Sequence, residues 1–319
     1  MREIDYTDSM NNVREIAKKI NDIETITDAP MKNRTTFRTG GSADLLILPA
    51  DTEELQTVLR LLSQLQSPFF LLGGGANLLV SDDGIREPVI SLEKMNRITV
   101  DGCRIRAEAG ASVEAVCTAA LENSLSGIEF LYRLPGSVGG AVRMNARCYD
   151  RSICEILDEI AYFNGSGESL RRTPADGGFG YKQSPFQDNG TVVTAAVFRL
   201  QKGLPPQIEA EMKANESDRE QKGHFRYPCA GSIFKNDRRF GQPSGVLIDK
   251  AGLRGLRNGN AQVAPYHGNI IINTGNATSK QIRTLIETVR ERVFADSGCL
   301  MEPEVVFAGD WSQYRSAQT

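Results

Sequence analysis

At 319 residues, with 40% hydrophobic and 24% charged side chains, the chain has the size and composition of a globular protein of two or three domains. A net charge of −3, spread without long like-charge runs, gives no electrostatic footprint for nucleic acid or an anionic membrane. No apolar run reaches the roughly 18 residues that a span requires, and the start MREID lacks an apolar h-region, so a cytoplasmic protein with no membrane partner is expected. Six scattered cysteines without a Cys-x-x-Cys pair, and only His224 and His267 beside them, point to free thiols and no metal. With two histidines, acid–base chemistry falls to carboxylates, hydroxyls, Lys or Cys.

Residues 7–27 carry Val13, Ile16, Ile20 and Ile23 at helical spacing and predict one amphipathic helix. A loop with paired glycines then feeds an apolar strand ending at Pro49. Asp51-Thr52-Glu53-Glu54 opens a helix whose inward stripe is Leu55, Val58, Leu59 and Leu62. In PFFLLGGGANLLVSDD (68–83) two apolar runs flank three glycines, predicting strand, tight loop and strand, within a β-α-β unit with parallel pairing. The glycines are either a backbone cradle for a phosphate or a connection between buried strands. Neither a Walker nor a Rossmann pattern is met, so a nucleotide here is held differently.

Strands follow over 88–92, 97–100 and 103–107, the last two joined at Asp101-Gly102, then a helix over 112–123 with Val113, Val116, Ala120 and Leu121 inward. The second glycine cluster, LPGSVGGAVRMN (134–145), reads as an irregular connection able to run beneath a bulky ligand. A hairpin over 160–170 and a strand over 191–200 precede a boundary at residues 203–206. Beyond it lie a charged helix (207–221), a third small-residue cluster CAGSIFKN (229–236), and a strand over 269–273. A helix over 279–294 presents Ile282, Leu285, Ile286, Val289 and Val293, and MEPEVVF (301–307) is a closing strand with Glu302 and Glu304 on one face.

Six stretches, 72–84, 135–145, 179–186, 230–236, 245–255 with 261–263, and 302–305, together resemble the UDP-N-acetylenolpyruvoylglucosamine reductases, also called UDP-N-acetylmuramate dehydrogenases, in the family's shorter form. The resemblance implies an α+β architecture: a vanillyl-alcohol-oxidase-type FAD-binding fold of two subdomains, 1–95 and 96–204, and a smaller α/β substrate domain, 205–319. It implies non-covalent FAD, with Gly73, Gly74, Gly75, Ala76, Asn77 and Leu78 around the pyrophosphate. Pro135, Gly136, Ser137, Gly139, Gly140, Ala141 and Asn145 would line the other side of the cofactor. NADPH would be co-substrate, the partner a UDP-sugar, and the protein a monomer or weak homodimer of peptidoglycan precursor synthesis.

In the implied reaction NADPH reduces FAD, and hydride then passes from flavin N5 to the enolpyruvyl C3, leaving negative charge at C2 that needs a clamp and a proton donor. By the family motifs the donor is Ser232, Glu304 assists at the carboxylate side, Tyr181 belongs to the substrate side, and Lys222 and Asn236 hold the UDP part. Glu302 and His267 read as structural. Lys182 stands where the family has an arginine and would clamp the carboxylate with a point charge in place of a planar fork. Asn-Ala-Arg-Cys-Tyr-Asp (145–150) replaces two family glycines with Arg147 and Asp150. Either the loop is rebuilt or Arg147 supplies the missing guanidinium. Gly223-His224 and Ala76 are further departures. The alternatives are a same-fold FAD oxidoreductase acting on another substrate, and a non-catalytic FAD- or nucleotide-binding protein lacking use for Ser232 and Glu304.

Overall fold

The computed structural model describes Val13 and residues 15–187, 190–312 and Tyr314. The chain forms two compact units, each stitched from three separated stretches: Met1–Ile26, Leu45–Gly74 and Glu87–Asp218 make the first, and Thr27–Asp44, Gly75–Arg86 and Arg219–Thr319 the second. Both mix helices and strands, the α+β class expected.

In the first unit, five antiparallel strands lie in the order Ser169–Arg172, Leu157–Phe163, Val192–Arg199, Arg104–Glu108 and Ile98–Asp101. The hairpin at Asp101-Gly102 forms as expected, Gly102 taking φ +57° while Asp101 pairs with Arg104. The central strand Val192–Arg199 is buried over most of its length. A smaller parallel group sets Ser42–Ile47 and Phe70–Leu72 on either side of Val89–Ser91. The connecting helix Thr52–Gln64 starts because Asp51 accepts from the amides of Glu53 and Glu54 at 2.9 and 3.0 Å. Its predicted stripe is fully buried, and each such side chain contributes about 1.5–3 kcal/mol relative to exposure.

In the second unit, four antiparallel strands run Cys229–Ser232, Ile270–Asn273, Ala261–Val263 and Arg257–Asn258. The helix Ser279–Ser297 buries Ile282, Leu285, Ile286, Val289 and Val293 in one core with Ile233, Phe234 and Ile271. Its start is fixed twice, by the Thr278–Gln281 capping box and by Asp82, whose carboxylate accepts from the amides of Ser279 and Lys280, both at 2.8 Å. Leu78–Val80 pairs in parallel with Val306–Ala308.

Four expectations are corrected. The helix over 7–27 is helical only up to residue 19 among the described residues, and Thr25–Pro30 is a strand, since Thr25, Ile26 and Thr27 are β-branched and Pro30 cannot continue a helix; residues 7–12 and 14 lie outside the described part. The irregular passage over 134–145 contains a six-residue helix, Val138–Arg143, started by Ser137, whose hydroxyl accepts from the Gly140 amide at 3.3 Å. In the helix Val113–Glu122 the buried fourth residue is Cys117, and Leu121 is only partly buried. The closing strand starts at Val306; Pro303, which has no N–H, makes only an isolated bridge to Phe234.

Candidate active site

The two glycine clusters meet in the first unit. A Cβ on Gly74 would lie 2.6 Å from the Cα of Gly136, and one on Gly73 would lie 3.2 Å from the Ser137 hydroxyl. Gly75 has φ +63°, and a Cβ there would sit 1.9 Å from the Arg34 carbonyl oxygen. The triplet therefore has steric reasons for each glycine, beyond any ligand. The loop also suits an anion. Among the described residues, the amides of 73–77 and of Gly136 and Ser137 donate no hydrogen bond within the protein. The loop is anchored from its carbonyl side, the Thr36 amide donating to Gly75 O at 3.1 Å. A bare row of backbone N–H groups matches the pyrophosphate of a dinucleotide cofactor, so the expected cradle fits FAD. Pro135 is exposed and Ala141 buried.

Asn145 is a link between loops: with φ +42°, its amide donates to Gly180 O at 2.7 Å and its oxygen accepts from the Cys154 amide at 3.3 Å. Arg143 donates to the carbonyls of Phe186 and Gln187, and the Ser184 hydroxyl returns a bond to Arg143 O at 2.6 Å. The loop carrying Tyr181 and Lys182 is thus tied to the second glycine cluster. Tyr181 is 49% exposed. Lys182 has φ +55°, its carbonyl accepting from the Gln187 side chain at 3.0 Å. A lysine in the left-handed region costs about 1 kcal/mol.

Of the two altered glycine positions, only Asp150 needs positive φ, at +60°, joined by Tyr149 at +49°; Arg147 is extended. The Arg147 guanidinium donates to Asp150 at 3.1 Å and to the Ser152 hydroxyl at 3.3 Å. Because Asp150 is fully exposed, that ion pair is weak and leaves Arg147 able to exchange partners.

In the second unit Ser232 ends its strand, opposite Ile270 and just after Gly231, whose φ of +69° falls within the register shift between Cys229 and Ser232. The next residue accepts from the Glu304 amide, Ile233 O to Glu304 N being 2.7 Å, and Lys235 N donates to Glu302 O at 2.9 Å. Segments 232–235 and 302–304 are therefore in register, which places the Ser232 and Glu304 backbones side by side. Glu302 is exposed and ion-paired with Lys235 at 2.6 Å. The Asn236 oxygen accepts from the Ser244 amide at 3.0 Å, and the fully buried Ser244 hydroxyl donates to Lys235 O at 2.6 Å. Lys222 is exposed at the end of the helix Pro205–Gln221, before Gly223. That glycine is required, because its φ is +78° and any Cβ there would stand 2.4 Å from the Tyr266 ring. Burial pushes the Cys229 thiol and the Tyr266 phenol up, leaving both neutral. Sequence reasoning missed Asn269 and Ser244. A lone polar residue directly before the apolar strand Ile270–Asn273 was the available signal for Asn269.

Among the described residues no helix is long and apolar enough to cross a membrane, and no three potential metal ligands cluster. An α+β scaffold matched by the families below defines an FAD-containing oxidoreductase class. The FAD binding domain family matches residues 43–172, and the C-terminal domain family of UDP-N-acetylenolpyruvoylglucosamine reductase matches residues 223–308. The reductase of Treponema denticola is 46% identical over 88% of this chain and 93% of its own length, and that of Treponema pallidum 36% identical over 89% and 93%. The crystal structure of the Thermus caldophilus reductase superposes with a TM-score of 0.76 at 31% identity, covering 90% of this chain and 98% of that one. The chain belongs to the UDP-N-acetylenolpyruvoylglucosamine reductase family.

Proposed function

We propose that the protein is a cytoplasmic, NADPH-dependent, FAD-containing reductase that converts UDP-N-acetylenolpyruvoylglucosamine to UDP-N-acetylmuramate for peptidoglycan precursors, acting as a monomer or weak homodimer. The observation that carries this reading is the register of Ser232 with Glu304, set by the 2.7 Å bond from the Glu304 amide to Ile233 O, within a chain of that family. Bound FAD supplies the hydride acceptor for NADPH and the hydride donor for the sugar.

The protein's own residues handle charge and protons. Amides of Gly73, Gly74, Gly75, Ala76, Asn77 and Leu78 hold the pyrophosphate, and 135–141 with Asn145 shape the other wall. Lys182 holds the substrate carboxylate, with Tyr181 beside it in sequence, and stabilises charge that develops toward C2. Ser232 delivers the proton to C2, so that one hydride and one proton add across the enol double bond. Glu304 assists on the carboxylate side, and Lys222 and Asn236 take the diphosphate and uridine edges. Arg147 is the reserve cation for the carboxylate. By segment, 1–95 and 96–204 serve FAD and 205–319 serves the nucleotide sugar.

The test is a coupled assay on purified protein, with NADPH oxidation and the sugar product followed together. Equal consumption of NADPH and formation of UDP-N-acetylmuramate is the expected result; NADPH oxidation indifferent to the sugar would remove the proposal.

A further inference from the structure

Asn77 stands out in the sequence only for its place in the cofactor loop, yet its side chain points its chemistry elsewhere. Its Nδ2 donates to the Glu304 carbonyl oxygen at 3.0 Å, across 227 residues of sequence. Its own carbonyl accepts from the Val306 amide at 3.0 Å. Asn77 thereby grips the closing segment on both sides of Val305, at the point where Leu78–Val80 and Val306–Ala308 begin their parallel pairing. On its other side Glu304 is fixed by its amide, which donates to Ile233 O at 2.7 Å. The Glu304 backbone is thus held between two partners, one following Ser232 and one ending the glycine loop. The backbone amide of Asn77 takes no part in this and donates no bond within the described protein.

From this division of labour between main chain and side chain we propose that Asn77 is a positioning residue for Glu304: its carboxamide sets the backbone from which the Glu304 carboxylate projects, while its amide stays with the cofactor loop. The inference rests on the assignment of Glu304 to the sugar-reducing step. An asparagine suits the task because it donates to a carbonyl without adding charge beside a carboxylate. An isosteric aspartate presents only acceptor oxygens to the same carbonyl, replacing attraction with repulsion at constant volume. A displacement of about 1 Å of a group acting on the reacting centre is enough for a roughly hundredfold loss.

The experiment uses full-length flavoprotein and Asn77→Asp, with Asn77→Ala as the second variant should the first not fold. Three quantities are read: FAD affinity of the apoprotein, the rate of flavin reduction by NADPH, and the rate of flavin reoxidation by the enolpyruvyl sugar. The same rates are measured in Glu304→Gln and in the double variant. Expected are reoxidation slowed by about tenfold to hundredfold, well beyond any change in FAD affinity or in the NADPH half-reaction, and little further slowing when Asn77→Asp is added to Glu304→Gln. Equal slowing of both half-reactions in FAD-saturated protein, unchanged reoxidation, or full additivity in the double variant would each overturn the inference. If Glu304→Gln alone leaves reoxidation at the wild-type rate, the assignment of Glu304 fails first, and that outcome is distinct from the others.

Discussion

Asn269 brackets the backbone of Phe234: its Nδ2 donates to Phe234 O at 2.8 Å and its Oδ1 accepts from Phe234 N at 2.9 Å, with Asn269 only 3% exposed. The side chain acts as one rung of sheet for a residue whose strand, Cys229–Ser232, has already ended. Replacing Asn269 by Leu leaves two buried backbone groups unpaired, at about 1–3 kcal/mol each. We predict a loss of about 2–6 kcal/mol in urea unfolding, together with slower reoxidation of the flavin by the sugar because Ser232 sits two residues upstream.

Gly74→Ala tests the contact between the glycine clusters. The new methyl would stand 2.6 Å from a backbone carbon of Gly136, where no flexible side chain can move aside. Overpacking of this kind costs about 1–3 kcal/mol, and the two loops are expected to separate. The outcome to look for is purified protein with reduced FAD content and a lowered melting temperature that excess FAD partly restores. Gly102→Ala, where a Cβ meets nothing within 4 Å, is the control; its positive φ costs stability but leaves flavin content unchanged.

His267 gives a pH dependence. Burial, first, and the nearby Arg254 and Lys222 charges pull its pKa below the ordinary 6.5, against an opposing pull from Asp249. Its Nδ1 accepts from the Asn269 amide at 3.2 Å, which only the neutral ring can do. Folding therefore favours the unprotonated form. Its contribution is fully present above the unfolded value near 6.5 and declines as pH falls below it, by up to about 1.4 kcal/mol per pH unit for one proton. Chemical denaturation between pH 7.5 and 5.5 should show this decline, with a shallower slope in His267→Gln; equal slopes would exclude His267 as the source.

Lys182 and Arg147 divide one question. Lys182→Ala is predicted to lower the sugar-dependent step by about a hundredfold, in the range set by removing one charge-stabilising donor, while flavin reduction by NADPH persists. Arg147→Ala should cost less than tenfold if Lys182 is the clamp, since Arg147, loosely paired with the exposed Asp150, is then only a reserve cation. The reverse ranking would assign the clamp to Arg147.

What could be read in advance was what local chemistry decides. Asp51 and its buried stripe, the turn at Asp101-Gly102 and the five inward residues of Ser279–Ser297 follow from neighbours within a few residues, and the motifs around Ser232 and Glu304 were visible as short words. The failures share a different cause. The apolar spacing of Val13, Ile16, Ile20 and Ile23 serves burial without requiring helix beyond residue 19. Glu302 and Glu304 owe their placement to a partner nearly 70 residues earlier, and Pro303 interrupts the strand that spacing alone suggested. Asn77, Asn269 and Ser244 matter through bonds to distant backbone, and an isolated asparagine or serine carries no pattern that announces one. The interleaving of two units from six stretches likewise depends on non-local packing.

The most direct test of the proposed chemistry is a single-turnover experiment. The enzyme is reduced with one equivalent of NADPH under anaerobic conditions, mixed with UDP-N-acetylenolpyruvoylglucosamine, and the flavin absorbance is followed in wild type and Ser232→Ala. The expected result is rapid reoxidation by the sugar in wild type, with reoxidation slowed by at least about a hundredfold in Ser232→Ala at an unchanged NADPH half-reaction. Flavin that stays reduced in the wild-type enzyme when the sugar is added would contradict it.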